Sequence, residues 1–291
     1  MVQEHHASSL HWDVRLERGG VLVSWAVPKG LPSDVVSIRL AVRTEDHPVE
    51  YAEFEGVIPA GAYGAGVMRL WDRGRYEVVK WSDREVDVVL RGSRVDGEFV
   101  FFRRGGGRDW MVKRRGVPAR PGWVVLPGFV APMRAVSGVL PEGGGWGFEF
   151  RWSGVRVVAR VEGGRLRLVS GSGVDVTGSF PGLRGLGPSL GATEVLLDGV
   201  VVSPPALVVF DVLHLDGVST VGLSYERRRA LVEGLGLAGS AWVTPRWFAG
   251  GGSAVVAAAR EHGVWGVVAK RVGSVYSPGV VSGEWVEVRV G

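Results

Sequence analysis

Residues 11–17, HWDVRLE, alternate strictly: Trp12, Val14 and Leu16 are apolar, whereas His11, Asp13, Arg15 and Glu17 carry chemistry. A period of two is that of a strand with one face in a core and the other offered to a ligand. Further strands are expected at 21–27, 37–44, 66–71, 86–91 and 97–103, separated by turns such as Arg18-Gly19-Gly20 and Val95-Asp96-Gly97. Short strands at this spacing predict an antiparallel barrel or sandwich for the N-terminal part, and a mainly β chain overall.

The surrounding composition agrees. In 291 residues, 46% are hydrophobic and 22% charged, which is globular and excludes a disordered or collagen-like chain. The 46 glycines and 15 prolines follow no period and fit many turns between short strands. There is no cysteine, so disulfides and thiolate metal sites are excluded and any metal must rest on nitrogen and oxygen. A net charge of +4 permits a nucleic-acid partner without demanding one. No uninterrupted apolar run approaches the ~18 residues of a membrane helix, so the expected location is cytoplasmic, with nucleoid association and no membrane partner.

Three regions are expected: a first domain over 1–115, a basic, proline-containing linker over 116–126, and a second domain over 127–291. In the second domain, strands are expected at 148–152, 155–161, 165–169, 195–202 and 207–213. Two helices join them. Ser224 caps one over 225–232, with Glu226 in its first turn, and another runs over 253–260 and stops at Gly263. This half is therefore α+β.

The first domain holds the denser chemistry. His5, His11 and Asp13 form the pattern H-x5-H-x-D; His11 and Asp13 share a strand face, and His5 joins them if the chain bends before the strand. Two imidazoles and a carboxylate suit Mn²⁺, Zn²⁺ or Fe²⁺ and leave positions open for water or substrate. The same spacing also fits a merely solvated strand face. Arg15 extends that face, and Lys29 and Arg39 add cations nearby, the surroundings that a phosphate ester requires. His47 is biased toward an extended conformation by Pro48 and has a ring suited to proton donation or phosphate binding. His47 reads equally as a turn residue bonded to the backbone, and Tyr51 as a packed aromatic.

The segments VQEHHASSLHWDVRLE, SWAVPKG, RLAVRTEDHPVEYAEFEGVIPAGAYGAG and LWDRG resemble, over nearly all of residues 2–115, the 3′-phosphoesterase module of bacterial DNA ligase D, an enzyme of non-homologous end joining. The resemblance implies a Mn²⁺-dependent β-barrel that trims DNA 3′ ends, removing a terminal ribonucleoside and then the 3′-phosphate. It assigns metal ligation to His5, His11 and Asp13, phosphate contacts to Arg15, Lys29 and Arg39, and catalytic assistance to Arg15, His47 and Tyr51. Trp12 replaces the tyrosine usual in that family. The sequence starts almost on the first ligand, without the family's N-terminal arm, so phosphate removal is expected ahead of the ribonucleoside step.

From residue 127 onward, FVAPM, EFRWSGVR, LLDGVVV, FDVLHLDG, WGVVAKR and EWVEVR resemble the nucleotidyltransferase domain of ATP-dependent DNA ligases. The catalytic positions depart from that pattern. Arg151 replaces the nucleophilic lysine and Ser153 the aspartate of K-x-D-G, Val200 and Trp265 stand where metal-binding glutamates are expected, and Glu287 replaces a lysine. A guanidinium stays protonated and cannot form a lysyl-adenylate. Gly154, Arg156, Phe210, Lys270 and Arg289 persist, and the domain is expected to lack the OB-fold that follows in ligases. The expectation is a degenerate, ligation-incompetent domain that does not use ATP.

The combined reading is a metal-dependent phosphoesterase that heals DNA 3′ ends at primer-templates or double-strand breaks, working with Ku, a repair polymerase or an intact ligase. A non-catalytic end-binding accessory protein and an active ATP-dependent ligase are the alternatives.

Overall fold

The computed structural model describes residues 1–62, 64–116, 123–191 and 193–290. Two compact units are present, one built mainly from Met1–Val125 and one from the residues after Leu126. Most of the expected linker, 117–122, lies outside the described residues.

Eleven strands form the first unit: β1 (Val2–His6), β2 (Leu10–Arg18), β3 (Val21–Val27), β4 (Ile38–Arg43), β5 (His47–Pro48), β6 (Gly56–Ile58), β7 (Gly66–Asp72), β8 (Gly74–Trp81), β9 (Glu85–Gly92), β10 (Asp96–Arg103) and β11 (Asp109–Arg115). They make one sheet of order β6-β7-β1-β2-β3-β4-β11-β10-β9-β8, with β5 paired to β3. The expected barrel is not observed: among the described residues β6 and β8 are the edges of this sheet and it does not close. Three residues of β6 are a poor match for the eight of β8. That strand is also mostly exposed and carries Arg75, Glu77 and Lys80, charges that protect an open edge from further pairing.

Alternation along β2 works as its sequence requires. Trp12, Val14 and Leu16 enter a core with Trp25, Val27, Phe99, Phe101 and Trp110, and Trp25 stacks on Phe101 with ring centroids 4.7 Å apart. The intervening residues of β2 therefore point to the opposite face of the sheet, where Asp13 and Arg15 are also buried.

The second unit contains two sheets. One joins Arg134–Ser137, Val281–Arg289, Gly266–Arg271, Trp146–Phe150 and Phe248–Ala249; the other is built around Val155–Glu162, Val195–Val202 and Ala206–Leu215. The two expected helices are present at Tyr225–Gly234, where the Ser224 hydroxyl accepts from the Arg227 N–H, and at Gly252–Glu261. Among the described residues no helix is long and apolar enough to cross a membrane.

Candidate metal centre and the cavity of the second unit

Two antiparallel strands bring the first cluster together. The register of β1 and β2 sets His5 opposite His11 and Gln3 opposite Asp13, and paired residues share a face. His5 Nδ1 lies 3.1 Å from His11 Nε2, and each lies 3.7 Å from an Asp13 carboxylate oxygen. One ligand atom from each residue falls within 4.8 Å of the others. The His11 Nδ1–H donates to the Ser9 carbonyl at 2.9 Å, which leaves the Nε2 lone pair facing the cluster. This donor set fits a divalent first-row ion. His5 and Asp13 are buried and His11 is partly open, so the approach to such an ion is from the His11 side.

Arg15 organises the neighbouring residues. Its Nε–H donates to Gln3 Oε1 at 2.8 Å, Nη1 donates to Ser24 Oγ at 3.0 Å and to His47 Nδ1 at 2.8 Å, and Nη2 donates to Asp13 Oδ2 at 3.0 Å. Four of the five guanidinium N–H groups are thereby used, and one on Nη2 remains. Burial alone would raise the Asp13 carboxyl, but the His5 hydrogen bond and the Arg15 charge outweigh it and hold the group below its ordinary value. His47 is also held below its ordinary value, by burial first and then by Arg15, with the Glu45 backbone acting the other way. Because Arg15 can only donate, His47 Nδ1 accepts, and the ring proton of the neutral form sits on Nε2.

His47 reaches this position because β5 pairs with β3, setting it opposite Leu22. Tyr51 follows in the 3₁₀ turn Val49–Glu53, with its ring 5.6 Å from that of His47. The Gln3 amide donates to the carbonyls of Tyr51 and Phe54 at 3.3 and 2.8 Å, tying this segment to β1.

Two expected cations stand apart from this network. Ala26 pairs with Val42, so alternation sends Arg39 to the same side of β4 as the fully buried Ala41, the core side. There its guanidinium donates to the backbone carbonyls of Lys29, Gly30 and Leu31. Lys29 lies in the turn after β3 with its side chain exposed. Conversely, the sequence reading missed Gln3 and Ser24, which complete the Arg15 network. Ser24 was marked by being the one polar residue inside VLVSWAV.

In the second unit, a cavity of about 310 Å³ is lined by Glu149, Arg151, Arg156, Val200, Lys270 and Glu287, among others. Three of its cations are paired. Arg156 forms two 2.6 Å bonds to the buried Asp198, Lys270 lies 2.7 Å from Glu149, and Arg151 lies 3.1 Å from Glu287. Lys270 is buried among Phe210, Tyr225 and Trp285, with the Trp285 ring centroid 4.2 Å from Nζ. Desolvation lowers its ammonium below the ordinary value although Glu149 opposes this. Gly154, at φ +155°, has no room for a side chain, since a Cβ would meet the Val201 carbonyl at 2.1 Å. Ser153 and Trp265 are exposed, and Val200 is buried.

Residues 3–103 match the family model described as the DNA Ligase D 3′-phosphoesterase domain. Over 99% of its length the chain is 41% identical to the multifunctional non-homologous end joining protein LigD of Mycobacterium bovis and 30% identical to that of Pseudomonas aeruginosa, covering 41% and 43% of those proteins. It thus spans about two fifths of the length of the curated relatives it matches. The crystal structure of the ligase domain from M. tuberculosis LigD aligns with a TM-score of 0.50 and 34% identity, covering 55% of this chain and 59% of that one. The chain therefore carries a DNA ligase D 3′-phosphoesterase domain, fused to a region similar in sequence and structure to the LigD ligase domain.

Proposed function

We propose that this protein is a Mn²⁺-dependent phosphoesterase that removes phosphate from DNA 3′ ends during non-homologous end joining, and that its second unit does not ligate. The observation that carries the reading is the convergence of His5, His11 and Asp13 beside the Arg15 network. Those three side chains would hold the ion, which when bound would polarise a phosphate and lower the pKa of a water.

The chain's own groups do the rest. Arg15 fixes Asp13 and His47 relative to one another, and its remaining N–H is available to a phosphate oxygen, where it offsets the charge that builds up as the ester is attacked. His47, neutral near pH 7, offers an Nε2 proton to a phosphate or leaving-group oxygen, so it serves as a hydrogen-bond donor more than as a strong acid. Tyr51 flanks it. Lys29, exposed and on a flexible stem, supplies positive charge to the incoming strand. Arg39 acts at one remove by holding the carbonyls of the turn that bears Lys29.

Loss of ligation rests on Arg151, whose guanidinium is paired with Glu287 and cannot serve as an amine nucleophile. The partners of such a protein would be DNA 3′ ends, Ku, a repair polymerase and an intact ligase. The test is release of phosphate from a 3′-phosphate primer-template with Mn²⁺, compared between the native chain and His11→Ala. Release from the native chain and none from the variant is expected; equal release would refute the assignment.

A further inference from the structure

The second unit carries a feature that neither adenylylation nor the metal centre uses. Trp265 is 40% exposed. Arg151, which lines the cavity, lies 4.4 Å from the centre of its ring, and Arg289 lies 5.0 Å from it. The main chain that carries the indole is held by neighbours on both sides. The Trp265 carbonyl accepts from the Val290 N–H at 3.1 Å, and the carbonyl of the next residue, Gly266, accepts from the Arg151 N–H at 2.8 Å. One indole and two guanidiniums thus form a π surface with positive charge beside the cavity, the combination on which unpaired bases stack beside their phosphates.

The charges distinguish between ligands. Arg156, Lys270 and Arg151 are each matched by a carboxylate, so the interior has little excess charge for a triphosphate. Arg134 and Arg289 are exposed and have no ion-pair partner among the described residues. That distribution suits separate phosphodiesters along a strand.

We propose that this rim binds the terminal nucleotides of an unpaired DNA strand non-covalently, with a base on the Trp265–Arg151 surface, its phosphate on Arg289 and a phosphate farther along the strand on Arg134. The site would hold a frayed end without sealing it. The proposal rests on the reading that this unit does not adenylate.

The test uses the full chain in EDTA, with an eight-nucleotide single strand carrying 5-iodouracil at its terminus. Irradiation is expected to link the strand to the peptide containing Trp265. Arg289→Ala keeps that reporter in place and should weaken the strand, read as crosslink yield against concentration, by about tenfold, with a salt slope smaller by roughly 0.7. Arg289→Lys should recover most of the slope. Absence of a crosslink at Trp265, or an unchanged yield curve for Arg289→Ala, would overturn the proposal. So would competition by AMP equal, mole for mole, to that of the unlabelled strand, which would assign the site to a free nucleotide. A lysine-linked adenylate formed from labelled ATP would instead overturn the loss of ligation, so the two failures are separable.

Discussion

His5 Nδ1 and His11 Nε2 lie 3.1 Å apart across the β1–β2 hairpin, each 3.7 Å from Asp13. Three donor atoms this close, with the His11 tautomer set by Ser9, form a site whose affinity should fall sharply when any ligand is removed. Losing an outer partner of a metal ligand costs roughly 10–100-fold, so losing the ligand itself should cost more than about 100-fold. Titration of Mn²⁺ into His11→Ala and Asp13→Ala by calorimetry should show that loss. Unaltered affinity would place the ion elsewhere.

Arg15 offers a sharper test of geometry against charge. Arg15→Lys keeps a cation but cannot bridge Gln3, Ser24, Asp13 and His47 together, because an ammonium has three donors and no planar fork. Phosphate release by the lysine variant should drop by about 10²–10³-fold with Mn²⁺ affinity changed far less. Retention of near-native release would show that only the charge at this position matters.

Much of this site was legible in the sequence because a strand period of two assigns faces without any tertiary knowledge. His11, Asp13 and Arg15 fell on one face by arithmetic. His5 did not, because its position depends on β1 being a separate strand, and VQEHH with its polar side chains lacks an apolar alternation. Its partners on both sides, β2 and β7, are what make it a strand. The surroundings of Arg39 were not legible. The resemblance assigns it to phosphate, but the pairing of Ala26 with Val42 decides which way Arg39 points, and register between strands separated by a ten-residue loop is not written in either strand. Openness of the sheet was hidden for a related reason, since closure depends on the match between two edges far apart in the chain.

His47 should titrate below the ordinary histidine value, since burial and the Arg15 guanidinium both oppose its charged form. The sign follows directly. As pH falls, the unfolded chain takes up this proton first, so the contribution of His47 to folding declines between the ordinary value and the folded one. Arg15→Met removes the neighbouring charge and should raise the His47 midpoint. Proton NMR of the His47 ring in both proteins measures it, and a midpoint that fails to rise would mean that Arg15 does not act on the imidazole.

On the proposed loss of ligation, placing an amine at position 151 should not produce a ligase. Arg151→Lys supplies an amine, but it would sit beside Glu287, which would hold it protonated, and Val200 and Trp265 offer no carboxylate for a metal. Labelled ATP is therefore expected to give no covalent adduct with this variant. An adduct would show that the surviving Lys270 and Arg156 suffice to assemble an adenylating site.

Lys270 and Glu149 make the strongest stability prediction, because both charges are almost fully buried. Glu149 accepts from Tyr225 at 2.8 Å and lies 2.7 Å from Lys270, and the pull of Lys270 and Arg229 holds its carboxyl below the ordinary value against the effect of burial. Glu149→Gln keeps the shape and the tyrosine's acceptor but leaves a buried ammonium facing a neutral amide. Breaking a buried pair in this way costs about 3–5 kcal/mol, so urea unfolding of this unit should shift to a markedly lower midpoint. The loss should shrink as pH rises toward the depressed Lys270 value, because a neutral amine no longer needs a counter-charge. A Glu149→Gln chain that unfolds at the native midpoint at pH 7 would mean that Lys270 is already uncharged in the folded protein.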